Sequence, residues 1–278
     1  MTAAGSIGMV LDRALNIELL DVALRIGTEH RNDPEARRLL AVALRDFVTP
    51  QEAEGKTKKV LTRVWVVPPS NAQAMISWAI EHQREFADRR VLHFGALLAT
   101  FPFFGSIAAT VGRQIHLDGV ADRRTIRTFA RSTFGEREFI DAGASKSLAT
   151  MRDLGLLDGS KDGPYRIGSR PSAPSAFSGW FLHALLLTRQ AESVSVSDLS
   201  RAHELATVKL AAPARGYPLV DIHEEARGAV AVANGVREAT AAPPVSQRPP
   251  QAEFDFGESG LRRSQLPQAK RRRPGATE

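Results

Sequence analysis

The chain contains no cysteine. That absence excludes disulfides, thiolate-held zinc, iron–sulfur clusters and a cysteine nucleophile, and it fits a reducing compartment. The motifs that usually announce nucleotide or acyl chemistry are missing too. No GxGxxG or GxSxG occurs, and Gly55-Lys56-Thr57 imitates the end of a phosphate loop without the upstream glycine, because 49–54 holds none. The histidines (His30, His82, His93, His116, His183, His203, His223) stand in no HxH or HExxH spacing. His223-Glu224-Glu225 comes nearest to a metal cluster and reads as a solvated edge. Carboxylates are scattered and mostly sit beside basic residues, so paired acids for a metal-dependent nuclease are lacking. The expectation is a protein that is not an enzyme and needs no cofactor or metal. The opening MTAAGSIGMV also lacks the basic start and apolar run of a secretory signal, which points to the cytoplasm.

Excess charge is small. Lys plus Arg number 37 against 31 Asp plus Glu, a net +6, so any polyanion would be held by local patches. One long uncharged stretch is present, FGALLATFPFFGSIAATV at 94–111. It reaches the lower edge of a membrane-spanning length. Pro102 lies inside it, and proline breaks a helix by removing a donor and clashing one turn back. Two short buried helices, 89–101 and 104–117, meeting at Pro102, are therefore expected, with no membrane partner. A membrane-associated protein using 94–111 is the alternative.

Apolar spacing and turn signals divide the chain into a helical segment at 6–86, a segment at 89–170, an extension at 171–236 and a tail at 237–278. In the first, Ile7, Val10, Leu11, Ala14, Ile17, Leu20 and Leu24 suit one amphipathic helix over 7–27. Asn32-Asp33-Pro34 opens a helix over 34–48 with Phe47 inward. The basic stretch Lys56, Lys58, Lys59, Arg63 leads into β-branched residues and Pro68-Pro69, which predicts a short helix running into a strand or extended link. A helix over 71–87 is capped by Ser70 or Asn71. In the extension, Trp180, Phe181, Leu185 and Leu186 make either a buried helix or the exposed face of a homodimer. Residues 219–223 and 229–233 suit a hairpin turning near Arg227-Gly228. The tail is rich in Pro, Gln, Ser and Arg, including Lys270 to Arg273. It cannot bury enough apolar surface to fold, so a disordered basic tail is expected, which either aids solubility or holds nucleic acid loosely.

The segment richest in chemical signal is 104–167. Ile107, Ala108, Val111 and Ile115 share one face of a first helix that ends at Asp118-Gly119. Asp122 caps a second helix, 122–133, which buries Ile126, Phe129 and Ala130 and turns Arg123, Arg124, Arg127 and Arg131 outward. A third helix, 142–154, buries Ala144, Leu148 and Met151 and leaves Ser145, Lys146, Ala149, Thr150 and Arg152 free. Two turn dipeptides, Asp158-Gly159 and Asp162-Gly163, then separate Leu156-Leu157 from Tyr165-Arg166-Ile167.

The run SKSLATMRDLGLLDGSKDGPYRI, 145–167, resembles the recognition helix and wing of winged helix-turn-helix DNA-binding proteins. The resemblance implies that the third helix enters the major groove of double-stranded DNA while the wing touches the backbone or the minor groove. On that reading Ser145, Lys146, Thr150 and Arg152 meet the bases, and Arg123, Arg124, Arg127, Arg131, Lys161 and Arg166 meet phosphates. EREFIDAG, 136–143, departs from the pattern by separating helices two and three by more than a tight turn.

More broadly, 6–235 resembles the BrxA family of BREX phage-defence systems. The resemblance lies in its two helical modules, Leu61-Thr62-Arg63, the uncharged helix pair and the run SKSLATMRDLGLL. It implies a DNA-binding accessory or regulator in bacterial antiviral defence, with other defence-system proteins as partners. The fold expected is mainly α: two helix-turn-helix-like domains, the second a winged helix with a small β-hairpin wing, plus the tail. A transcription regulator and a protein–protein adaptor are the rival roles.

Overall fold

The computed structural model describes residues 10–31, 33–48, 51–160, 163–211, 217–226 and 228–234. The expected tail at 237–278 and the expected wing residue Lys161 lie outside them. Among the described residues the chain is mainly helical with small sheets.

Helix α1 spans Ile17–Glu29. It does not begin at residue 7 as the periodicity suggests, because Asn16 caps it, its Oδ1 accepting from Leu19 N at 2.9 Å. Asparagine favours this position, satisfying an orphan amide of the first turn. Helix α2 covers Ala36–Leu44, and Phe47 beyond it is half exposed instead of inward. Helix α3, Gln51–Leu61, runs on through a π-helical turn at Thr62–Val66. No strand forms at 62–66, and the non-helical link is confined to 67–69: Val64 and Trp65 are buried, and tertiary burial outweighs β-branched preference. Arg63 donates from Nε to Thr100 O at 3.0 Å and lies over the Phe101 ring, a cation at a helix C-terminus. Helix α4, Ser70–Glu81, has Pro69 at its N-cap position and no side-chain cap.

The uncharged run is divided between α5, Arg89–Thr100, and α6, Pro102–Asp118. Asp88 caps α5, and Pro102 occupies the first turn of α6, where its missing N–H costs nothing. The two helices meet at 117°, and no single helix among the described residues is long and apolar enough to cross a membrane. Phe94, Leu97, Leu98, Phe101, Phe104, Ile107 and Val111 lie in the protein core. Helix α7 spans Arg123–Phe134 and α8 spans Glu138–Asp153; strands β1, Leu157–Asp158, and β2, Arg166–Ile167, pair antiparallel.

Strand β3, Ser172–Ala173, pairs in parallel with β5, Lys209–Leu210. Between them lie α9, Ser178–Arg189, strand β4, Ser193–Ser195, and α10, Asp198–Arg201. Strands β6, Val220–Glu225, and β7, Gly228–Ala233, form an antiparallel hairpin, and the sheet order is β4-β7-β6. Arg227 in its turn lies outside the described residues. Trp180, Phe181, Leu185 and Leu186 on α9 are buried, so the exposed dimer face considered for them does not exist. Trp180 Nε1 donates to Met75 O at 3.2 Å, Thr188 Oγ1 to Leu98 O at 2.7 Å, and the Phe86 and Phe177 rings lie 3.8 Å apart. The hydrophobic core therefore runs without interruption across 86–89 and 170–171, where the sequence suggested divisions.

Candidate nucleic-acid interface

Asp122 sets the start of α7. Its Oδ2 accepts from Thr125 N at 2.8 Å, and its own N–H donates to Gln114 of α6. Ile126 and Ala130 then face the core while Phe129 is only partly covered. Arg123, Arg124, Arg127 and Arg131 line an open cleft of about 640 Å³, together with Asp122, Thr128 and Gly163 of the β1–β2 loop. The sequence could show that these arginines share one helix. That the loop after β1 closes the same cleft is a tertiary fact.

The connection from α7 to α8 is short. EREFIDAG does not separate the helices: only Gly135, Glu136 and Arg137 lie between them, with Gly135 at φ 96°, and the remainder is the first turn and a half of α8. Glu138 and Asp141 in that turn suit the positive end of the helix dipole. Asp141 also acts across the interface. Its Oδ2 accepts from Arg127 Nη2 at 2.8 Å and its Oδ1 from Arg131 Nε at 2.7 Å, with a second short contact from Arg131 Nη2. The Arg131 guanidinium, helped by Arg127 and opposed by burial, holds the Asp141 carboxyl down at about 2. Arg123 donates to Ser145 Oγ at 3.0 Å. Arg124 is exposed and has no ion pair or hydrogen-bonding partner among the described residues.

Helix α8 presents a half-open face of Ala142, Ser145, Lys146, Ala149 and Arg152. Arg152 is paired with its neighbour Asp153 at 2.8 Å, and Lys146 carries no partner among the described residues. Thr150 does not belong to this face. It is buried, and its Oγ1 accepts from Leu15 N at 3.0 Å. The irregular chain from Val10 to Leu15 lies along that flank, and a β-carbon on Gly143 would stand 2.0 Å from Val10 Cγ1. Glycine is needed for this close approach. Periodicity within 142–154 could not reveal a covering segment more than a hundred residues away.

The hairpin follows. Leu157 pairs with Ile167 and Asp158 with Arg166, and Tyr165 exchanges both backbone hydrogen bonds with Ala121, between α6 and α7, at 2.8 Å each. Tyr165 is buried and Arg166 points outward. Arg166 is exposed on the hairpin but does not line the α7 cleft, whereas Asp141, which takes up two of the α7 arginines, was missed in the sequence. Its only signal was an acid in what read as a loop. No family model, curated protein or solved structure matches the chain.

Proposed function

We propose that residues 102–167 form a winged helix-turn-helix that binds double-stranded DNA without catalysis. The observation that carries this reading is the order of elements. A helix (α6), a bridging residue (Ala121), two helices joined by a three-residue turn (α7, α8) and a hairpin that pairs back onto Ala121 follow one another. That is the arrangement in which a second helix is held out from the body for the major groove. The small residues Ala142, Ser145 and Ala149 let α8 approach base edges, which Lys146 and Arg152 then read. Arg123, Arg124, Arg127, Arg131 and Arg166 meet phosphates, positioning the duplex without reading it.

The wider role in this reading is an accessory or regulator in a bacterial phage-defence system of BREX type, working in the cytoplasm with other defence proteins. It rests on the BrxA resemblance. Gel-shift titration of duplex DNA at two salt concentrations tests the binding. Retardation at low salt that weakens steeply with salt is expected. Arg124→Ala and Arg166→Ala are each expected to flatten the log–log salt slope by about 1, and Lys146→Ala with Arg152→Ala to reduce discrimination between sequences. A protein that leaves duplex DNA unshifted even at low salt is not the protein described here.

A further inference from the structure

A second basic surface lies on the C-terminal half of α6, lined by no residue of α7 or α8. Two neighbouring depressions of about 390 and 520 Å³ share the wall Arg201, Ala202 and His203. Arg113 enters the first; His116 and Arg170 enter the second. The backbone on which these groups stand is held tightly. A β-carbon on Gly112 of α6 would lie 2.0 Å from His203 O and 2.9 Å from Ala206 Cβ, so helix and turn meet with no side chain between them. The His116 and His203 rings come within 5.6 Å as a result.

The charges here do not cancel. Among the described residues, the carboxylates in the two walls are Asp198 and Glu204, and Arg189 takes both. It donates from Nε to Glu204 Oε1 at 2.8 Å, from Nη2 to Glu204 Oε2 at 3.1 Å, and from Nη1 to Asp198 Oδ2. Arg113, Arg170 and Arg201 have no ion pair or hydrogen-bonding partner among the described residues. Three unmatched guanidiniums and two imidazoles therefore border two adjoining depressions that share Arg201 and His203. Unneutralised cations converging from separate segments are costly to hold together unless an anion joins them. A guanidinium fork binds phosphate through two parallel hydrogen bonds. A phosphate ester brings a charge of about −1.5 to −2 near neutral pH, closer to this excess than a single carboxylate. The volumes fall in the range of about 300–1,000 Å³ typical of small-molecule sites.

We propose that the cleft between α6 and residues 198–206 binds a phosphate ester of up to nucleotide size, with Arg113, Arg170 and Arg201 on the phosphate and His116 and His203 beside it. The site does not rest on the DNA reading. Isothermal titration and thermal melting of the full chain, with inorganic phosphate and adenosine 5′-monophosphate as probes at constant ionic strength, test it. Saturable binding and a raised melting temperature are expected. Arg113→Ala and Arg201→Ala, both at exposed positions, should each weaken binding about 10-fold or more, the value of one charge-assisted contact. Arg124→Ala, in the α7 cleft, should leave it unchanged. Absence of saturable binding overturns the proposal, as does binding insensitive to Arg113 and Arg201. It is equally overturned if duplex DNA alone, and neither small phosphate, depends on these two arginines.

Discussion

At Asp141 a carboxylate occupies the guanidiniums of Arg127 and Arg131 with the fork geometry that a phosphate would use. Within the DNA reading, a phosphate must displace it, so part of the α7 charge is held in reserve. Asp141→Asn should tighten duplex binding at low salt and steepen the log–log salt slope by about 0.9, one further phosphate contact. Fluorescence anisotropy across a salt series measures this; an unchanged slope would show that the two arginines never reach the backbone. The same substitution removes a favourable acid from the first turn of α8, costing about 0.3–1 kcal/mol. Melting of the free protein separates that loss from the binding effect.

The elements of 121–167 owe their positions to partners outside the segment. Helix α8 is covered by the 10–15 segment on one flank, and the hydrogen bond from Leu15 N to Thr150 Oγ1 is buried. Thr150→Val keeps the shape of the side chain and removes the acceptor, which leaves a buried amide unsatisfied at a cost of about 1–3 kcal/mol. Chemical denaturation should register that loss, hydrogen exchange at Leu15 should accelerate, and Thr150→Ser should restore both. Equal stability of the valine and serine forms would mean that the arm is held by packing alone. At the other corner, Pro102 and Arg63 fix the 117° bend between α5 and α6. An apolar run that by length alone suited a bilayer is thereby folded into core.

For the molecule as a whole, the continuous core carries buried imidazoles. His183 of α9 lies 3.0 Å from Tyr217 Oη through Nδ1, and burial pushes its pKa down to about 4. Burial lowers His93 as well, against the opposing pull of Asp21. Both shifts have the same sign. The unfolded chain binds protons near pH 6.5 that the folded chain refuses, so stability falls as pH drops from about 6.5 towards 4. His183 alone accounts for about 2 kcal/mol of this at about pH 5. Denaturation midpoints at neutral pH and near pH 5 should differ in the wild type, and the gap should narrow in His183→Gln. An unaltered gap would show that this imidazole titrates alike in both states.

Local signals were readable where a feature depends on a few neighbours. Asp122 announced the start of α7, and Pro102 the corner between α5 and α6. The arginines of α7 were placed on one face by helical spacing alone. Local preference misled at 62–66, where burial of Trp65 carries the helix onward, and at 136–143, where an acid-rich start of α8 read as a loop. Contacts between distant segments were invisible. Nothing near Thr150 reveals that Leu15 covers it, nothing near Asp141 that two arginines of the preceding helix converge on it, and nothing near His116 that His203 lies alongside. Composition and periodicity indicate most of the side chains that the core takes in, although Phe47, Phe129 and Thr150 depart from that pattern. Which of the remaining polar groups are consumed by one another, and which are left to meet a ligand, follows only when the core brings remote segments together.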